Sequence, residues 1–168
     1  MRPLPFAPRP FSDEALGSWI GRLAARYRVV VAQLDAEYGL GLVLSGPLAW
    51  LLPSPLSSIS LSKLSELTRM PGDAISALSV DAAERLPGAP YCSRCVFLNP
   101  LEVESPYWKK TWLVPGASIC DVHGLPLVVL QASLARRSGN MRHLINGVGQ
   151  FEVQRRELAR LEDIGRRH

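Results

Sequence analysis

Two short stretches decide how the middle of this chain folds: YCSRC, residues 91–95, and CDVHG, residues 120–124. They hold all three cysteines and one of the three histidines, and each separates two potential metal ligands by two residues. A tight turn lets both members of such a pair face one ion, and a second turn completes a tetrahedron, as in structural zinc sites. The sequence therefore predicts one Zn²⁺ held by Cys92, Cys95, Cys120 and His123.

Other uses of these thiols stay open from spacing alone. A lone CxxC can be a redox pair, but a thioredoxin-like motif sits in a βαβ unit, and no such unit is visible in the sequence. A disulfide would leave one of the three cysteines unpaired. Because four protein ligands leave no position for water or substrate, the predicted zinc is structural rather than catalytic.

The composition bounds the fold and the compartment. A chain of 168 residues makes one ordinary domain or two small ones, and 47% hydrophobic residues suffice for a core. Charges and prolines interrupt every apolar run, including the N-terminus, so neither a membrane span nor a signal peptide is predicted. Thiols that stay reduced and available to metal indicate an intracellular chain, and we expect a cytoplasmic protein.

The net charge of +4 arises near the C-terminal end. Residues 1–135 carry eleven Lys and Arg against eleven Asp and Glu, whereas residues 136–168 carry eight arginines against four acids. Such an end predicts contact with a polyanion such as nucleic acid, and the alternative is a solvated helix whose arginines pair with its own acids. A helix is predicted over 150–167, with Phe151, Leu158, Leu161 and Ile164 on one side. The candidate nucleic-acid or partner contacts here are Arg136, Arg137, Arg142, Arg155 and Arg156.

Helical periodicity dominates the first half of the chain. In SDEALGSWIGRLAARY, residues 12–27, apolar side chains recur at helical spacing, Ser12 can cap the start, and two acids suit the positive end of the dipole. Arg22 and Arg26 fall on another face and are predicted to be solvated. Two further short helices are predicted over 29–38 and 47–52.

The stretch SLSKLSELTRMPGDAISALSV, residues 60–80, has the outline of a helix-turn-helix. A helix to about Arg69 is followed by a break at 70–72 and a second helix over 73–78. This second helix has no Arg or Lys to read a base edge. Two interpretations stay open: contact with DNA, or packing of the apolar side chains Leu64, Leu67, Ile75 and Leu78.

Between the ligand pairs lies SPYWKKTWLVPG, residues 105–116, where aromatic residues surround two lysines. Trp112 is predicted to pack as the small core of the zinc module. Lys109 and Lys110 are predicted to contact nucleic acid or a partner, because bases stack on aromatic rings while lysines hold phosphates. After His123, the segment GLPLVVLQ predicts a short strand.

The predicted fold is mainly α with a small zinc-binding β-hairpin module. Residues 1–11, which include four prolines, form an extended arm. The predicted order continues with a helical, helix-turn-helix-like domain over 12–86, a zinc ribbon or knuckle over 87–130, and an Arg-rich helical segment over 131–168.

In this order the features resemble the TniQ/TnsD family of transposon target-selection proteins. The resemblance is carried by the proline-rich start, FSDEALGSWIGRLA, LSELTRMPGDAISALS, YCSRC, YWKKTW and CDVHGLPL, and it covers about residues 3–127. Its most specific part runs from residue 91 to 127. By position, the four predicted zinc ligands match the family's first zinc site.

The resemblance implies a non-enzymatic adaptor that couples recognition of a DNA target to an AAA+ transposition regulator, which recruits the transposase. It also implies a helix-turn-helix before the zinc module, and some short members work with an RNA-guided effector complex and its RNA. Many relatives have a second cysteine-rich module, whereas no cysteine follows Cys120 here, so independent recognition of a specific attachment sequence is in doubt.

We expect the arm and the first helix to contact the ATPase, because a proline-stiffened segment loses little entropy when it docks in a groove. The residues expected to make this contact are Pro3, Pro5, Phe6, Pro8 and Pro10.

Two other classes of function are considered. A zinc-containing DNA-binding transcription regulator would share the basic excess and the helix pair, but would bind an operator without an ATPase. An enzyme would need a nucleophile or base beside an open metal site or pocket. No such constellation is apparent, because His123 is taken as a ligand and His143 and His168 have polar, Arg-rich neighbours.

Overall fold

A computed structural model describes residues 2–46, 48–80, 86–97 and 106–166. The chain is mainly helical with a small antiparallel two-stranded sheet, which confirms the predicted fold class. The helices are α1 (Leu16–Arg26), α2 (Val31–Tyr38), α3 (Ser58–Thr68), α4 (Gly72–Ser76), α5 (Ser93–Phe97), α6 (Ala132–Ser138) and α7 (Met141–Gly165). The strands are β1 (Gly88–Tyr91) and β2 (Val128–Gln131), and two 3₁₀ turns cover Ala49–Leu51 and Lys110–Leu113.

Helix α1 lies in the core, packed against α2, α7 and the first 3₁₀ turn. Its predicted apolar face is buried, with Trp19, Ile20 and Leu23 almost fully enclosed. The N-cap residue is Ala15, three positions after the predicted cap at Ser12, and no side chain caps the helix. The predicted start is wrong because the acids at 13 and 14 form tertiary ion pairs instead of opening the helix.

Residues 2–10 of the N-terminal arm form neither helix nor strand, and they are hydrogen-bonded to the body of the molecule. The Leu4 N–H donates to the Leu67 carbonyl at 2.8 Å, and Leu4 is buried. The Tyr27 hydroxyl donates to the Phe6 carbonyl at 2.7 Å, and the Trp19 indole N–H donates to the Pro8 carbonyl at 2.8 Å. The arm is therefore fixed along its length, with the Phe6 ring 51% exposed.

Helices α3 and α4 pack against each other in the region of the predicted helix-turn-helix. Ser57 caps α3 by accepting a hydrogen bond from the Ser60 N–H at 3.0 Å. The four apolar side chains singled out in the sequence, Leu64, Leu67, Ile75 and Leu78, are all buried, so their packing is confirmed. Contact between this helix pair and DNA stays a prediction.

The third predicted helix is a 3₁₀ turn. It covers Ala49–Leu51, within the range 47–52, and Pro47 lies outside the described residues. The turn buries Trp50 and Leu51, and the Trp50 indole N–H donates to the Ala135 carbonyl at 3.0 Å. Burial of these two side chains thus determines the conformation of a segment too short for a stable helix.

The C-terminal helix α7 begins at Met141, nine residues before the predicted start. Its first half carries buried Met141, Leu144 and Val148 into the same core as α1. The prediction was late because Gly147 and Gly149 lower local helix propensity, whereas burial of the apolar stripe outweighs it. Leu158 on the predicted apolar side is exposed, and the side chains of residues 161 and 164 lie outside the described set.

One hydrophobic cluster extends from Leu4 to Val148 and draws on all three predicted folded segments. Because the segments share this cluster, the boundaries predicted between residues 86 and 87 and between residues 130 and 131 stay predictions. No helix in the described ranges has both the length and the apolar character needed to cross a membrane.

Candidate metal centre and its surroundings

Two antiparallel strands bracket the predicted ligands. Strand β1 pairs with β2 so that Tyr91 lies opposite Val128, and Cys92 follows β1 directly. Strand β2 was predicted, whereas β1, with the sequence GAPY, was not. Glycine and proline disfavour strands, but all four residues of β1 are buried, and a Cβ on Gly88 would stand only 2.2 Å from the Leu130 carbonyl oxygen. The close approach of the two strands therefore requires the glycine.

The second ligand pair lies on a tightly hydrogen-bonded turn. The Cys120 N–H donates to the Leu125 carbonyl and the Gly124 N–H donates to the Cys120 carbonyl, both at 2.8 Å. Gly124 has φ +61°, a left-handed conformation that glycine adopts without steric cost. This turn directs the side chains of Cys120 and His123 to the same point.

The four predicted ligands converge. The Sγ atoms of Cys95 and Cys120 are 3.7 Å apart, and His123 Nδ1 lies 3.5 Å, 3.2 Å and 3.8 Å from the sulfurs of Cys92, Cys95 and Cys120. All four ligand atoms lie within 4.8 Å of one another. With bonds of about 2.3 Å to sulfur and about 2.0 Å to nitrogen, a tetrahedral site has S–S edges of about 3.8 Å and S–N edges of about 3.5 Å. The cluster thus has the donor set and dimensions to hold one metal ion.

The state of the thiols also suits a metal. All three cysteines are free. Burial raises the pKa of the Cys95 thiol. Burial acts in the same direction on Cys120, but the backbone N–H groups of His123 and Val122 outweigh it and hold the pKa of Cys120 below its usual value. Metal binding requires thiolates, and this turn stabilises one through its own backbone.

Aromatic side chains form the packing beside the sheet. Trp108 and Trp112 are buried and meet edge to face, with ring centroids 6.3 Å apart. The Trp108 indole N–H donates to the Pro90 carbonyl of β1 at 2.8 Å. The prediction that Trp112 packs in the interior is confirmed.

Lys109, a predicted nucleic-acid or partner contact, is buried against its own chain. Its ammonium lies 2.9 Å from Asp13 Oδ2 and 3.7 Å from Asp121 Oδ1, and its side chain is only 9% exposed. Asp121 stands between two metal ligands, so this ion pair joins the ligand turn to the segment before α1. Lys110 is partly exposed and donates to the Ala77 carbonyl at 2.7 Å. Contact of either lysine with nucleic acid or a partner stays a prediction.

Arg22 overturns one expectation. It was predicted to be solvated, but its guanidinium is buried and lies 2.7 Å from Glu14 Oε2. The Ser18 hydroxyl donates to Glu14 at 2.8 Å and accepts the Trp108 N–H at 2.9 Å. Burial raises the pKa of Glu14 despite the adjacent Arg22. No local pattern in the sequence indicates this pair, because Glu14 precedes α1 and residues eight apart on a helix lie about 12 Å apart along its axis.

The five candidate arginines of the C-terminal region, Arg136, Arg137, Arg142, Arg155 and Arg156, are all exposed. Arg155 pairs with Glu152 at 2.9 Å, as the alternative of internal pairing predicts. Glu152 is buried and also accepts the Tyr91 hydroxyl at 2.6 Å. Burial alone would raise the pKa of Glu152, but these hydrogen bonds and positive charges lower it. The helix is thereby tied to β1.

A family model described as TniQ matches residues 5–127, a range that includes most of the arm, α1 to α5 and all four candidate ligands. Among curated proteins none matches the chain.

Proposed function

Because the chain belongs to the TniQ family of transposition proteins, we propose that it is a non-enzymatic adaptor linking target-site recognition to an AAA+ transposition regulator. The observation that carries the proposal is the family match across residues 5–127, which includes the converged ligand cluster. A four-ligand site has no vertex for a substrate, which supports a structural rather than a catalytic role for this region.

The proposed ion is Zn²⁺, held by Cys92, Cys95, Cys120 and His123. Three sulfur donors and one nitrogen donor at tetrahedral spacing suit zinc. When bound, the ion supplies a cross-link between the segment after β1 and the turn before β2. The chain's own contribution is to orient the donors, through the backbone bonds of the 120–124 turn and the pairing of β1 with β2.

The proposed partners are the AAA+ ATPase and DNA, and an RNA-guided effector complex with its RNA, in the bacterial cytoplasm. The exposed arginines support contact with nucleic acid, because phosphate binding depends on accessible cations. For the ATPase, the arm offers the exposed side chains of Pro5 and Phe6, while its backbone stays bonded to the body. Pre-ordering of this kind lowers the entropic cost of association.

The experiment that tests the adaptor role is co-purification with the AAA+ ATPase encoded beside it, in the presence of nucleotide and duplex DNA. We expect a complex that depends on nucleotide state and that weakens in Phe6→Ala, whereas Val114→Ala, a matched exposed apolar residue, leaves it unchanged. Failure to associate in every nucleotide state, together with tight binding to one short operator, would instead identify a transcription regulator.

Contact between the arginines and nucleic acid needs substitution rather than truncation, because α7 contributes Met141, Leu144 and Val148 to the core. In Arg155→Gln/Arg156→Gln the slope of log affinity against log salt concentration should become shallower, since each lost phosphate contact releases about one counterion fewer. Arg28→Gln, an exposed arginine outside α7, is the control. Equal slopes for all three proteins would assign the two arginines to a solvated face.

A further inference from the structure

A cleft of about 350 Å³ lies between the arm, α1 and α7, outside the metal centre. Its walls are largely apolar and include Phe6, Met141 and Ile145. Among the residues that the structure describes, the charged ones that line it are three arginines, Arg22, Arg26 and Arg142, and none is acidic. The cleft is within the size range of protein sites for small ligands or side chains, and its described charged side chains are all positive.

The buried wall contains a hydrogen-bond donor without an acceptor. The Arg22 side chain is 7% exposed; one Nη lies 2.7 Å from Glu14, and the other is 3.4 Å from the Arg9 carbonyl. Its Nε has no hydrogen-bond partner among the described residues. Buried N–H groups are ordinarily satisfied, so the unsatisfied Nε–H marks the Arg22 guanidinium, which lines the cleft, as a group with capacity for a further acceptor.

The rim adds two accessible cations. Arg26 is exposed, with its guanidinium 4.7 Å from the centre of the Phe6 ring, and Arg142 is exposed in the first turn of α7. Neither forms an ion pair with a carboxylate in the described ranges. The positive end of the α7 dipole lies at the same place and adds to the attraction for an anion.

We propose that this cleft binds a short acidic segment of a protein partner. An apolar side chain of the segment packs on the wall that includes Phe6, Met141 and Ile145, and a neighbouring carboxylate faces the arginines. Carboxylates match the donor fork of arginine, and the apolar wall supplies the rest of the contact. The proposal goes beyond the adaptor role, because it identifies the occupant by its chemistry whichever protein supplies it.

The cleft suits a peptide better than a nucleic acid strand. A strand is bound by cations that follow its backbone and by open aromatic faces on which bases stack. Here Phe6 is the aromatic residue of the lining, and the Arg26 guanidinium already covers its ring. The lining is also mainly apolar, and a charged phosphate backbone gains little from contact with apolar side chains.

The test is a random-peptide library displayed on phage and selected on the full-length, zinc-loaded protein, with counter-selection on Arg26→Gln/Arg142→Gln. We expect enriched peptides with Asp or Glu beside a large apolar residue. A synthetic peptide of the consensus sequence should bind the double variant at least about tenfold more weakly than wild type. Arg69→Gln/Arg160→Gln, a matched pair of exposed arginines outside the cleft lining, should bind it as wild type does.

A second readout reports on the buried donor directly. In ¹⁵N spectra the Nε–H signal of Arg22 should shift when the peptide saturates the protein, because a carboxylate then lies against the wall to which the Arg22 guanidinium belongs. No enriched peptides, enriched peptides without acids, equal affinity for the double variant, or an unmoved Arg22 signal would overturn the proposal. Displacement of the peptide by short DNA, with loss of DNA binding in the double variant, would assign the cleft to nucleic acid instead. Peptide binding without ATPase association would leave this inference standing while the adaptor role fails.

Discussion

Gly17→Ala should destabilise the protein, although alanine is normally the better helix former. A Cβ at Gly17 would lie 2.2 Å from the Leu51 carbonyl oxygen and 2.4 Å from that of Trp50. Both obstacles are backbone, so α1 and the 3₁₀ turn must separate by about 1 Å to restore contacts near 3.5 Å. Overpacking costs about 1–3 kcal/mol, against at most about 1 kcal/mol gained in helix propensity. We expect a net loss of about 1–2 kcal/mol.

The matched control is Gly149→Ala in α7, where an added Cβ would meet nothing within 4 Å. This variant should gain about 0.5–1 kcal/mol from helix propensity alone. Urea unfolding followed by tryptophan fluorescence, at fixed zinc concentration, measures both changes. We expect the free energy of unfolding to fall in Gly17→Ala and to rise in Gly149→Ala, with an unchanged dependence on urea concentration in both. A Gly17→Ala protein as stable as wild type would refute the argument that close backbone approach requires the glycine.

Three further predictions follow from the metal centre and its neighbours. Purified protein should contain about one zinc per chain. The variant Cys120→Ser should lose this zinc, and residues 90–127 should then become accessible to protease. A zinc content below about half an equivalent in freshly purified wild type would contradict the assignment. Lys109→Ala should cost about 1–2 kcal/mol, because it leaves two carboxylates unpaired, while Lys110→Ala stays within about 0.5 kcal/mol in the same unfolding assay. The pKa of Glu152 is lower in the folded protein than its usual value. Its carboxylate therefore stabilises the fold at pH above the usual pKa, and this stabilisation is lost as the pH falls through the lowered pKa. Tyr91→Phe removes one cause of the lowering, so acid unfolding should begin at higher pH, and an unchanged acid midpoint would count against the bond.

Features that depend on local chemistry could be predicted from the sequence. The spacing of the ligands identified a cluster that the fold brings together, because a turn of fixed length determines which side chains share a face. The apolar stripe of α1 is local in the same sense. Each depends on residues within a few positions of one another.

Features that depend on distant partners could not be predicted. Strand β1 forms because β2 and the aromatic side chains bury it, although its own residues disfavour a strand. Arg22 is buried because Glu14, the Arg9 carbonyl and the Phe11 ring, all from the segment before α1, contact its guanidinium. No residue near Lys109 in the sequence indicates its ion pairs, which form because the fold brings Asp13 and Asp121 to its ammonium group.

The packing of α7 against α1 has a consequence for how the protein is synthesised. The Asn140 side chain donates to the Val29 carbonyl across 111 positions of sequence, and Val148 enters the same core as Leu23. Chains emerge from the ribosome N-terminus first, so the apolar face of α1 is synthesised well before the α7 residues that pack on it. A nascent chain that ends before residue 141 should therefore expose that face and require protection from aggregation. Pairings over such distances also make folding slow, so the core is completed late rather than as each helix appears.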